Sequence, residues 1–349
     1  MCIWRNSSYE LDTFAPYLLH KLAIVEIPLH VLASYVVIFK TPSRMASVKW
    51  MMPFLTFCSA FLDLFIAVFS TQYYLVPIVG GYMRGVFTDI GISTDIQGHV
   101  FITSMCIVGM SILGFFESRY NTVVKGNREN IFKAKGRLFY MGMHYLYALM
   151  FTLPLFYNQP DQMEGRKFVK RTLPCVPESI IDDPDFHLWL EEPMLYAIHY
   201  GLTALVISLE VIYYFVHTAL FLSSTKAKSQ KTHKLQVQFF IALTIQIAIP
   251  LFIVIFPIAY LITAFITLHF DQMYNNIALN FIAMHGVASS SVMLIVHKPY
   301  RDAVVELLRL RVIWTKCRWR SGNAVGDASL MVVSSIVNIQ RDRRASNRI

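Results

Sequence analysis

Seven stretches of about twenty residues with almost no charge recur along the 349-residue sequence, each long enough to cross the roughly 30 Å hydrocarbon core of a bilayer. They run from about Pro16 to Phe39, Met51 to Tyr74, Gln97 to Phe116, Leu138 to Tyr157, Pro193 to Leu222, Val237 to Ile262 and Ile277 to Val296. A segment in lipid must satisfy its backbone hydrogen bonds internally, so these are expected to be α-helices. A transmembrane barrel would instead show short segments of alternating polarity. Composition points the same way. Charged residues make up 15% of the chain, against about 25% in a soluble protein. The expected fold class is an all-α membrane protein, a seven-transmembrane helix bundle over residues 16–298, preceded by a segment 1–15 and followed by a tail 299–349. Kinks are expected at Pro28, Pro53, Pro154, Pro250 and Pro257, because proline frees a helix carbonyl that neighbouring helices must then satisfy. The polar stretch from Asn158 to Glu192 reads as a loop.

Orientation follows from the cationic residues, since lysine and arginine in short loops stay cytoplasmic during insertion. The connections after spans one, three and five and the tail together carry 24 of the 31 lysines and arginines. The opposite set carries six, namely Arg5, Arg84, Arg166, Lys167, Lys170 and Arg171. The N-terminus is therefore expected outside, where Asn6-Ser7-Ser8 forms a glycosylation sequon. The formal charge of +9 does not imply nucleic-acid binding, because the basic residues are spread between apolar segments rather than gathered on one surface. Five cysteines make neither a disulfide framework nor a zinc-type Cys/His spacing, so neither a metal nor another cofactor is expected.

The junctions carry recognisable residues. Lys40-Thr41-Pro42 and Ser47-Val48-Lys49-Trp50 flank the first inner connection, Phe116-Glu117-Ser118-Arg119-Tyr120-Asn121 closes span three, and His297-Lys298-Pro299-Tyr300-Arg301 closes span seven. With Leu173-Pro174-Cys175 in the long outer segment and Cys2 near the start, the sequence resembles the nematode serpentine chemoreceptors, most closely class H. That resemblance implies a ligand-gated receptor of sensory neurons, in the plasma membrane of their cilia, with a small-molecule ligand, a heterotrimeric G protein and membrane lipids as partners.

Glu117-Ser118-Arg119-Tyr120 is similar to the acidic-Arg-Tyr signature of rhodopsin-like receptors with one residue inserted. Arg119 is expected to pair with a neighbouring carboxylate in the closed bundle and to meet the G protein when it opens. The alternative is an arginine that snorkels to the headgroups. Pro299-Tyr300-Arg301 stands where those receptors carry Asn-Pro-x-x-Tyr, without its spacing or its Asn. Pro299 is expected to stop span seven, and Val304, Leu307, Leu308 and Val312 beside Arg309 and Arg311 predict an amphipathic helix on the inner leaflet, with Cys317 a palmitoylation candidate.

Ionisable residues within spans are costly in lipid, so Glu26, Asp63, His144, His199, Glu210 and His285 are expected to face the bundle interior. Asp63, Glu210 and His285 are candidates for a buried polar network; the alternative is plain interhelical hydrogen bonding. Phe101, His199 and Tyr200 are candidates for the ligand pocket. Cys2 and Cys175 both belong to the oxidising side and are expected to pair. Catalysis finds no support, for no His-Glu-x-x-His, no Gly-x-Ser-x-Gly and no metal-spaced histidine pair occurs. A small-solute transporter would show paired repeats. A ligand-gated cation channel of the seven-span chemoreceptor type would have its N-terminus inside, against the charge count.

Overall fold

The computed structural model describes residues 2–41, 50–126, 131–224 and 230–307. Cys317, Leu308, Arg309, Arg311 and Val312 lie outside the described residues, as do Pro42 and Ser47 to Lys49. Among the described residues, seven helices are long and apolar enough to cross a membrane: Phe14–Phe39, Met51–Phe69, Thr94–Val123, Ala134–Tyr157, Met194–Ser224, His233–Thr267 and Gln272–Val296. Span one packs against spans two and seven, span three against spans two, four and five, and span six against span seven. The outward faces stay apolar, with Val31, Leu209 and Phe252 among many exposed hydrophobic side chains. Such a surface is stable only against lipid.

Span two ends earlier than its apolar run suggests. The α-helix Met51–Leu64 widens into a π turn at Phe65–Phe69, and Thr71–Tyr74 is then the strand β2 of a small sheet. Thr-Gln-Tyr-Tyr is rich in strand-favouring residues, and it finds a partner. It pairs antiparallel with β3 (Val79–Arg84), which pairs antiparallel with β4 (His187–Leu190). Gly81, at φ 155°, allows the β2–β3 contact, since a Cβ there would lie 2.1 Å from the Tyr73 carbonyl oxygen.

The stretch 158–192 is correspondingly more than a loop. It contains the helix Gln162–Thr172, capped by Asp161, a turn of helix at Glu178–Ile181, and β4. Tyr73, Leu75, Tyr82, Val169, Ile181, Leu188 and Phe270 form a core of its own above the bundle. Two polar ties and a disulfide fasten this cap. Arg5 donates to both carboxylate oxygens of Asp271 at 2.7 and 2.6 Å, where residues Cys2–Ile3 run parallel to Phe270–Asp271. Arg84 donates to Asp12, Asp183 and Asp185 at 3.0, 2.5 and 2.9 Å. Burial opposes its charge, but the hydrogen bonds to Asp183 and Asp12 outweigh it and hold the guanidinium above its ordinary pKa. Cys2 and Cys175 are disulfide-bonded with a Cα–Cα distance of 5.9 Å, within the usual range. Asn6 is exposed on this cap with φ 60°, a left-handed conformation that asparagine tolerates.

At the other end span seven breaks at His297, and Pro299 sits in the first turn of a separate helix, Lys298–Leu307, where its missing N–H costs nothing. Tyr300 and Ala303 turn this helix inward, while Leu307 is exposed.

Candidate functional site

Beneath the tail helix, side chains from five spans meet. Glu117 and Arg119 are both buried in span three but do not pair with each other. Two residues apart on a helix, they point to different faces, which corrects the expectation of a local acid–arginine pair. Glu117 instead accepts from Arg137 of span four, at 2.7 Å from Nε and 2.8 Å from Nη2, and from Asn121. Arg119 faces span six: its guanidinium lies 4.7 Å from the centre of the Phe239 ring, and Nη2 donates to the Gln236 carbonyl at 3.3 Å. Its buried Nε has no hydrogen-bond acceptor among the described residues. Tyr120 packs among the rings of Tyr213, Tyr214 and His217 of span five.

A row of rings continues from Arg119 across the bundle. Phe239 lies 5.6 Å from His297, which lies 5.4 Å from Tyr300. His297 also meets Gln246 Oε1 at 2.9 Å, and the Tyr300 hydroxyl meets Thr41 Oγ1 at 2.9 Å and Met52 Sδ at 3.4 Å. Spans three, six and seven, the tail helix and the start of span two are thus linked by one row of contacts. Arg301 stays outside it and donates to the Ile295 carbonyl at 3.1 Å. Phe239 and Gln246 carry no such signal in the sequence, whereas His297 is legible there only as part of the run that closes span seven.

Deeper in the bundle, spans one, two and seven enclose a polar cluster. Glu26 and His30 lie one helical turn apart in span one, so they share a face. His30 Nε2 stands 3.4 Å from Glu26 Oε1 and 3.3 Å from Asp63 Oδ2, and its Nδ1 is 3.0 Å from Ser290 Oγ. His285 Nδ1 lies 3.5 Å from Asp63 Oδ1 and 2.7 Å from the Ile282 carbonyl. The Asp63 carboxylate rests directly on Gly286, where a Cβ would fall 1.8 Å from Oδ2. Asp63 and His285 are therefore brought together, but Glu210 is elsewhere. It accepts from the Tyr140 hydroxyl at 2.5 Å and meets His144 Nε2 at 3.1 Å, between spans four and five. There it lines an open cleft of about 430 Å³ with Tyr140, Leu209, Tyr213 and Tyr214. Reading spans separately could not show that Glu210 and Asp63 occupy different sides of span three.

The candidate pocket residues also divide. Phe101 is buried with Leu19, Phe65 and Ala283 among spans one, two, three and seven. His199 and Tyr200 pack on Phe151 of span four, with ring centres 5.1 and 4.6 Å away. The buried Tyr200 hydroxyl has no hydrogen-bond partner among the described residues. Towards the cap, Trp189 of β4 closes over span three so tightly that a Cβ at Gly98 would lie 2.7 Å from its ring.

Comparison with known proteins places this arrangement. Residues 10–310 match the family described as serpentine type 7TM GPCR chemoreceptor Srh. Serpentine receptor class H-72 of Caenorhabditis elegans is similar to the chain, at 25% identity over 288 residues that cover 80% of this chain and 81% of the relative. The matched span takes in all seven membrane helices, and the chain belongs to the serpentine class H chemoreceptor family of multi-pass membrane receptors.

Proposed function

We propose that the chain binds a small odorant or pheromone-like molecule within the helical bundle and activates a heterotrimeric G protein, in the plasma membrane of sensory neuron cilia. The sheet-capped end faces outside and the tail helix faces the cytoplasm. The cationic bias of the tail-side connections, the exposed sequon at Asn6 and a disulfide in the cap all support this orientation. The Lys298–Leu307 helix lies on the inner leaflet.

The observation that carries coupling is the seat of Arg119. Its charge is held by a ring and a carbonyl of span six rather than by a carboxylate. A cation–π contact of this kind is worth roughly 0.5–2 kcal/mol, weak enough to be broken by a helix displacement. Movement of span six away from span three removes both contacts and presents the guanidinium to the cytoplasm, while the Glu117–Arg137 pair keeps spans three and four together. The ring row through His297 to Tyr300 lets span seven follow the same movement. On the ligand side, the unpartnered Tyr200 hydroxyl in an aromatic surround supplies a donor for a ligand acceptor, in the mixed apolar and polar manner of small-molecule sites.

A second-messenger assay in cells matched for surface expression tests this reading. Phe239→Ala is expected to raise signalling without ligand several-fold, and Arg119→Ala to abolish the response. Tyr200→Phe should raise the half-maximal concentration of a hydrogen-bonding agonist by about tenfold, the equivalent of one hydrogen bond. Full signalling from Arg119→Ala, with basal activity unchanged in Phe239→Ala, would refute the role of this seat.

A further inference from the structure

We propose that Glu26, His30 and Asp63 bind one divalent transition-metal ion of the zinc type, clamped between spans one and two. The proposal is independent of the receptor's coupling and rests on four observations.

First, the three side chains present ligand atoms that all lie within 4.8 Å of one another, and all three residues are buried. The His30 Nε2 distances to the two carboxylate oxygens, 3.4 and 3.3 Å, equal the ligand–ligand edge of a tetrahedron whose metal bonds are about 2.0–2.1 Å. The side chains need little rearrangement to bind.

Second, no lysine or arginine pairs with the cluster among the described residues. Glu26 is 0% and Asp63 1% exposed, and among the described residues their ion-pair partners are imidazoles alone. Glu26 Oε2 and both Asp63 carboxylate oxygens have no well-aligned hydrogen bond. Two such carboxylates within a membrane bundle are costly. One dication neutralises both and fills the open lone pairs.

Third, the supports of a metal site are present. A ligating histidine usually anchors its other nitrogen, and His30 Nδ1 meets Ser290 Oγ at 3.0 Å. His285 meets the second Asp63 oxygen, and the absence of a side chain at Gly286 leaves the carboxylate its position. Water completes the fourth coordination place.

Fourth, the donor set selects the ion. One imidazole with two carboxylates suits zinc, whereas magnesium and calcium are held by oxygen atoms. Calcium and sodium binding would leave the His30 nitrogen unused.

The test uses the full chain, expressed with zinc in the medium, purified through a histidine-free tag and washed with chelator in phosphatidylcholine nanodiscs. Elemental analysis is expected to find one zinc per chain, and Co²⁺ exchange to produce the visible absorption of a tetrahedral site. His30→Asn should lose both signals. His30→Cys, which keeps a metal ligand, should retain the ion and add a thiolate-to-Co²⁺ charge-transfer band, so folding failure of the Asn variant cannot decide the matter alone. Less than about a tenth of an equivalent of zinc, or the same zinc content in wild type and His30→Asn with no new band in His30→Cys, an adventitious ion only, would overturn the proposal. So would thermal protection by Na⁺ that Zn²⁺ does not give.

Discussion

At the scale of single residues, side chains in this receptor act by what they lack as much as by what they touch. His187 in β4 faces Trp189 at 5.2 Å between ring centres, and its buried Nε2 has no hydrogen-bond partner among the described residues. Burial lowers its pKa below the ordinary 6.5, with the Asp95 charge acting in the opposite direction. The sign follows from linkage. A base with a depressed folded pKa contributes nothing above the unfolded value and destabilises the fold as pH falls from about 6.5 towards the folded pKa, because the unfolded form takes the proton first. The cap is therefore expected to loosen as pH falls below about 6.5, measured as a several-fold faster limited proteolysis within 158–192. His187→Phe should flatten that dependence; an unchanged slope in this variant would exclude His187 as its source. Residue-level reading of the sequence was strong where lipid makes one choice costly: Glu26 and Asp63 are buried, as the expense of charge in hydrocarbon dictates. It missed His30, although the spacing from Glu26 to His30 already places both on one face.

At the scale of elements, helix identity was legible and helix partnership was not. All seven spans follow from apolar length, since lipid leaves the backbone no alternative to helix. The cap was not legible. Its strands β2, β3 and β4 come from both sides of spans three and four, so no local window contains their pairing. The expected pairing of Arg119 with a neighbouring carboxylate gives way, for a related reason, to Phe239 and the Gln236 carbonyl: spacing on one helix shows which residues diverge, but not that Arg137 on span four takes Glu117. Where elements touch most closely, small residues set the distance. Gly286 brings span seven against Asp63, so Gly286→Ala must displace a buried carboxylate or separate two spans. By the cost of overpacking, about 1–3 kcal/mol, this variant is expected to lose folded monomer several degrees below wild type in a thermal ramp read by size-exclusion fluorescence. Gly136→Ala, with nothing within 4 Å of the added carbon, should melt like wild type. Equal melting of both variants would mean that the Asp63–Gly286 contact is not tight.

At the scale of the whole molecule, the two ends are built for different work. One end is closed by a cap with its own core, a disulfide and the arginine ties of Arg5 and Arg84. The other brings spans three, six and seven together around a charge with no carboxylate partner among the described residues. Between them lies the Glu26–His30–Asp63 cluster, joined to span seven through Ser290 and Gly286. Under the proposed function, a change at the capped end reaches the tail end through movement of helices, and the output is a partner protein's nucleotide exchange rather than a flow of ions through the bundle. The most direct measurement places purified receptor and purified heterotrimer in sealed lipid vesicles, applies an agonist found by screening, and records guanine-nucleotide exchange and membrane current together. Agonist-dependent exchange that Arg119→Ala abolishes, with no current, is the expected result. Agonist-evoked current in vesicles lacking the G protein, with no exchange when it is added, would contradict it.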